Sequence, residues 1–107
     1  MGLTKQEAHR AVLDRLHGIY LIKNAKYGDS TTDTFKKFGV ISYAVRLNDK
    51  LRRFQALALS PTGEEGTDDE SMIDTLLDMA NYAILAVMDI EDAKQKGQIT
   101  VESLHNM

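Results

Sequence analysis

A chain of 107 residues and 12.0 kDa with a net charge of -3 has the size of one globular domain. It can bury roughly 65% of its unfolded surface. The acidic balance gives no basis for charge-driven binding to nucleic acid or to an anionic membrane, and the lack of cysteine excludes a disulfide framework and a thiolate metal site. The opening MGLTKQEAHR has no apolar signal core, and no unbroken apolar run approaches the roughly 20 residues of a membrane span. A cytoplasmic protein is expected, with no membrane partner and no binding to DNA or RNA duplexes.

Seven glycines and one proline leave few breaks, which favours long helices. Thr4 and Glu7 stand at capping-box spacing, so a first helix is expected from Lys5. Ala8, Val12, Leu13, Leu16, Ile19 and Tyr20 recur on one face. The helix is expected to fade by Lys23 or Asn24 into a polar loop, NAKYGDSTTD, followed by a short helical turn over Thr34–Phe38 and a break at Gly39.

A second long helix is expected from Val40 to Leu59, with Tyr43, Leu47, Leu51 and Phe54 as its apolar face. Ser42, Arg46, Asp49 and Arg53 lie opposite, with Lys50 beside them. SPTGEEGTDD, from Ser60, is the strongest loop signal. Thr67 and Glu70 repeat the capping-box spacing, so a third long helix is expected from Asp68 to about Lys96. Lysines 94 and 96 would complement its dipole and Gly97 would stop it. The expected architecture is all-α, a single domain of three main helices in a small bundle.

The last of these helices is apolar nearly all round, yet Glu70, Asp74, Asp78 and Asn81 fall within roughly 80° of its surface at 100° per residue. Carboxylates at i, i+4 repel by ~0.2–0.5 kcal/mol per pair, and more where water is excluded, unless a cation compensates. Protein cations, or a hard divalent ion such as Mg2+ or Mn2+, fit that need. A solvated acidic face fits the spacing as well. The basic groups Arg46, Lys50 and Arg53 read either as a solvent-exposed face or as a phosphate clamp. Lys23, Asn24, Lys26 and Tyr27 read either as an ordinary connection or as contacts to a base or phosphate, with Gly28 allowing close backbone approach. The histidines, His9, His17 and His105, show no metal-ligand spacing.

In order, KNAKYGDS, GVISYAVRLNDKLRR and DESMIDTLLDMANYAI resemble the phage and bacterial family called nucleotide-modification-associated domain 1. The resemblance covers about residues 19 to 91. The architecture is similar to the MazG-like all-α nucleoside triphosphate pyrophosphohydrolases. That resemblance implies a Mg2+- or Mn2+-dependent hydrolase that cleaves a nucleotide, including a modified one, between its α- and β-phosphates. Glu70, Asp74 and Asp78 would hold the metal and carry catalysis. Arg46, Lys50 and Arg53 would meet the phosphates, while Asn81 and Lys23, Asn24, Lys26 and Tyr27 would touch sugar or base. MazG-like enzymes bring a further acidic pair from the preceding helix. Here that helix offers only Asp49, set among basic neighbours and counted with the substrate-binding group.

The resemblance also implies a homodimer or homotetramer, as does the packing problem of a helix apolar on every side. Two further functions stay open. One is a phage protein that sequesters a nucleotide or cyclic-nucleotide signal without turnover, and the other is a helical interaction module that binds no nucleotide.

Overall fold

The computed structural model describes residues 2–60 and 69–97, and among these it is all-helical, with four helices and no strand. The expected all-α class is therefore observed, with one helix more than the three main ones. The residues group into two compact units, Met1–Ser30 and Thr31–Met107.

The first unit is helix α1, Lys5–Tyr27. Its start follows from the expected capping box. The Thr4 hydroxyl accepts from the Glu7 N–H at 3.1 Å, and the Glu7 carboxylate accepts from the Thr4 N–H at 2.8 Å. The Thr4 N–H first, and the Thr4 hydroxyl second, hold the Glu7 carboxyl below its ordinary pKa.

The other end departs from expectation. The helix does not fade at Lys23 or Asn24 but runs on to Tyr27, because nothing before Gly28 breaks it. Gly28 takes φ 65°, a value that favours glycine, and its N–H donates to the Asn24 carbonyl at 2.7 Å. The Asn24 amide then donates to the Gly28 carbonyl at 3.2 Å and to the Asp29 carboxylate at 2.8 Å. Of the expected apolar face, Leu16 is buried and Ile19 and Tyr20 are half-buried, while Val12 and Leu13 are exposed.

Helix α2, Ser30–Phe38, is a full nine-residue helix where only a turn over Thr34–Phe38 was expected. Gly39 ends it at φ 77°, with its N–H donating to the Phe35 carbonyl at 2.7 Å. Helix α3, Ile41–Leu59, starts almost at once and matches its expected span. Helix α4 runs Asp69–Gln95, and Gly97, at φ 71°, closes it as expected through a 3.0 Å hydrogen bond to the Lys94 carbonyl. The second expected capping box, Thr67 with Glu70, lies outside the described residues.

The second unit is organised by α3 packed on α4. Three side-chain contacts fix their register. Tyr43 meets Asp89, Lys50 meets Asp78, and Arg53 meets Thr75, so the helices run antiparallel. Phe35, Tyr43, Ala86 and Ala93 form the core, with Val40, Tyr82, Leu85 and Ile90 packed against it. The Phe35 and Tyr43 rings sit 5.9 Å apart at a tilt of 42°, which pins α2 to this core.

The face that α3 turns to α4 is rotated from the one expected. Tyr43, Leu47, Phe54 and Leu57 are buried or half-buried, and Lys50 sits among them, whereas Leu51 is 43% exposed. On the wheel, Lys50 lies only about 20° from Tyr43, and Leu51 about 80° away on the flank. A lysine can occupy such a position because its aliphatic stem packs while its ammonium finds a carboxylate.

By length and composition alone, Ser71–Gln95 is apolar enough to cross a membrane, at a mean hydropathy of 1.2 in its best 18-residue window. That window holds few charges because the acids of α4 are sparse between Ser71 and Met88. The core helix of a soluble protein meets the same criterion, and α3 covers one side of this one.

Candidate functional site

The polar groups of the second unit gather along the seam where α3 lies on α4. At its centre, the Lys50 ammonium and the Asp78 carboxylate stand 3.2 Å apart, their side chains 29% and 27% exposed. Both groups have left most of bulk water, so each depends on the other more than a surface pair does. One turn along, the Arg53 Nε donates to the Thr75 hydroxyl at 3.2 Å, and that hydroxyl donates to the Ser71 carbonyl at 2.8 Å. Thr75 is only 3% exposed. The arginine thus closes the hydrogen-bonding of a buried hydroxyl while most of its guanidinium remains at the surface.

Arg46 and Asp49 are exposed, one turn before Lys50 and Arg53 on the outer margin of the seam. Asp74 is exposed one turn before Asp78, and Asn81 is half-buried three residues beyond it. The expected sector of Asp74, Asp78 and Asn81 therefore exists, and it borders the basic groups of α3 rather than standing apart from them. The side chain of Glu70, the third acid of that sector, lies outside the described residues, as does His105.

The remaining expected residues belong to the first unit. Lys23, Asn24, Lys26 and Tyr27 form the last turn of α1, not a loop. Asn24 serves as a helix-end clasp through its bonds to Gly28 and Asp29. The Lys26 ammonium sits 5.2 Å from the centroid of the Tyr27 ring, which is 60% exposed.

A second polar knot escaped the sequence reading. Asp89 accepts from the Thr32 hydroxyl at 2.9 Å and 3.0 Å on its two oxygens, and from the Tyr43 hydroxyl. It ties α2, α3 and α4 at one point. Tyr43 is 2% exposed, and burial with the Asp89 carboxylate pushes its phenol pKa up to about 12. A signal for this knot was present. Asp78, Tyr82, Leu85 and Asp89 follow i, i+4, i+7, i+11, one face of a helix. A tyrosine on the inner face of α3 needs an acceptor for its hydroxyl.

Among the described residues, no three His, Cys, Asp or Glu side chains come together as a metal-holding group. Asp74 and Asp78, one helical turn apart, are the carboxylates at hand. By donor type they suit Mg2+, which is commonly held by one or two carboxylates together with substrate phosphates. The chain matches no protein-family model, no curated protein and no solved structure.

Proposed function

We propose that the α3–α4 seam binds the phosphates of a nucleotide and that the chain is a metal-dependent nucleoside triphosphate pyrophosphohydrolase acting in the cytoplasm of a bacterium or a phage-infected host. The observation that carries this reading is the Lys50–Asp78 pair. It sets a cation from one helix and a carboxylate from the other at one half-buried point, with Arg46, Arg53 and Asp74 within a turn of it. Fixed cations beside fixed carboxylates are what a phosphate–metal complex requires.

In this reading Asp74 and Asp78, joined by Glu70, hold Mg2+ or Mn2+. The metal supplies charge neutralisation and a lowered pKa for bound water. Lys50 and Arg46 take the non-bridging phosphate oxygens, Lys50 as a point charge and Arg46 through its planar fork. Arg53, anchored on Thr75, holds a fixed position at the edge of the site and needs little reorganisation to receive charge. Asn81 offers both a donor and an acceptor toward sugar or base.

One observation favours a second reading, a non-catalytic protein that sequesters its nucleotide. Lys50 already neutralises Asp78, so the seam in its resting form is a balanced ion pair rather than an acidic metal cup. A ligand anion then has to exchange with Asp78 for Lys50, which requires no turnover.

A panel of nucleotides incubated with the protein and Mg2+, then chromatographed after filtration and again after heat denaturation, separates the two. New monophosphate and pyrophosphate support the hydrolase. A nucleotide that leaves the filtrate and returns intact on heating supports sequestration. A panel that passes unchanged overturns both and leaves the helical interaction module.

A further inference from the structure

Arg10–Asp14 and Lys96–Asp92 are ordinary ion pairs. Each joins residues one turn apart on one helix, with more than half of both side chains in water. Lys50–Asp78 differs in both respects. It joins α3 to α4, and its side chains are 29% and 27% exposed. Water screens its attraction less, and losing either partner costs more.

An anion that comes to Lys50 therefore cannot simply join the pair. The ammonium is already neutralised, and a second anion on it would face a poorly screened carboxylate at close range. The anion has to take the ammonium from Asp78. Lys50 is able to make that move, because its charge rides on a flexible four-carbon stem. Asp78 cannot follow, because its carboxylate sits on a short side chain fixed to α4. After the exchange Asp78 stands at the seam without the Lys50 charge.

We propose that Asp78 is an internal competitor of the ligand: it holds Lys50 against anions and keeps the site closed to those that arrive without a cation of their own. This rests on the reading of the seam as a phosphate site and adds what decides entry to it. A bare anion meets the full loss of the Lys50–Asp78 pair. A polyphosphate carrying a divalent cation brings Asp78 a replacement charge as it draws Lys50 away. Cation and anion are thereby coupled, each raising the affinity for the other by the same factor. Asp78 works against the ligand when no metal is present and for it when metal is.

The sign of one substitution tests this. Tripolyphosphate is titrated calorimetrically into the full chain at physiological salt, in EDTA and in excess Mg2+. In EDTA, Asp78→Asn should bind it more tightly than the wild type, by about tenfold or more. Asp78→Ser, a second way to remove the competitor, should show the same gain, with helical circular dichroism checking that each variant is folded. Glu91→Gln, which removes a charge at an exposed position elsewhere on α4, should stay within about threefold of the wild type. In the Lys50→Met background Asp78→Asn should bring no such gain, since no ammonium is left to compete for. Mg2+ should raise the wild-type affinity and narrow or reverse the advantage of Asp78→Asn.

Equal or weaker binding by Asp78→Asn in EDTA overturns the proposal. So does a gain that survives undiminished in Lys50→Met, which marks plain repulsion, or one that Glu91→Gln matches. An Mg2+ enhancement as large in Asp78→Asn as in the wild type overturns it too. In each of these cases, wild-type binding of tripolyphosphate with Mg2+ leaves the phosphate site standing. Tripolyphosphate that binds no variant, with or without Mg2+, overturns both.

Discussion

Two carboxylates on one face of α4 are held in opposite ways. Asp89 is surrounded by neutral hydroxyls, from Thr32 on α2 and Tyr43 on α3, at the edge of the core. Asp78, eleven residues earlier, pairs with a cation, Lys50, with about a quarter of its side chain in water. Hydroxyl donors are short and stereospecific, so the Asp89 knot has one geometry. An ammonium on a four-carbon stem can move to another anion without disturbing the helices. The first arrangement is suited to locking a fold, the second to exchanging a partner. The difference is what makes the Lys50–Asp78 end of the seam, and not the Asp89 end, the place to look for a ligand.

The comparison breaks first at Asp89. Asp89→Ala should be the most costly single change in the seam, because it takes the carboxylate acceptor from the buried Tyr43 hydroxyl and from the Thr32 hydroxyl together. The expected loss is about 2–3 kcal/mol, read as a drop of ~10 °C or more in Tm for a chain of this size. Urea unfolding followed by circular dichroism measures it. A loss no larger than that of Asp78→Asn would remove the distinction between lock and exchange site.

Next in size is the alkaline limb of stability. The Tyr43 phenol is raised from 10 to about 12 in the folded protein, through burial first and the Asp89 carboxylate second. Below pH 10 the phenol is neutral in both states and the contribution is whole. Between pH 10 and 12 the unfolded phenol ionises while the folded one does not, so stability falls as pH rises, by about 2–3 kcal/mol across the window. Urea midpoints from pH 8 to pH 11 should show this slope in the wild type, and Tyr43→Phe should remove it.

The exchange end predicts less for stability and more for binding. Lys50→Met and Asp78→Asn should each cost only about 1 kcal/mol, as befits a partly solvated pair. The same Lys50→Met should weaken nucleotide binding tenfold or more, since it would delete the proposed phosphate contact, worth about 1.5 kcal/mol or more. Isothermal titration with a nucleotide identified from the panel gives that number. Unchanged affinity would take Lys50 out of the site.

The parts of this fold legible in the sequence were those written in local chemistry. The Thr4–Glu7 box fixed the start of α1, Gly39 and Gly97 marked real ends, and α3 occupied its expected span. Legibility failed where position depended on a neighbour. α1 runs on to Tyr27 because nothing before Gly28 breaks it, and Asn24 clasps Asp29 beyond its end, a contact that no periodicity displays. Leu51 and Lys50 exchange places because apolarity alone points to the inner face, while the half-buried cation is held by Asp78 on another helix. Asp89 is illegible for the same reason. As a single acid it looks like surface, and only Thr32 and Tyr43, 57 and 46 residues earlier, make it a knot. The sector of Asp74, Asp78 and Asn81 was legible because its spacing lies within one helix.

The smallest effect extends the comparison to a carboxylate held wholly in water. Glu7 is fully exposed, and its pKa is lowered by the Thr4 N–H and hydroxyl that it meets in the capping box. A lowered carboxyl contributes stability that is present above its unfolded pKa and lost as pH falls through its folded value. Acid should therefore fray the first turn of α1 before it touches the α3–α4 seam. Amide exchange or carbon chemical shifts of residues 5 to 8, followed from pH 7 to pH 3, should report that fraying as a local event. Glu7→Gln should keep part of the reciprocal bond at low pH, because glutamine can still accept from the Thr4 N–H without ionising. If the first turn and the seam instead melted together in acid, the cap would be coupled to the core, and carboxylate exposure would no longer rank these three sites.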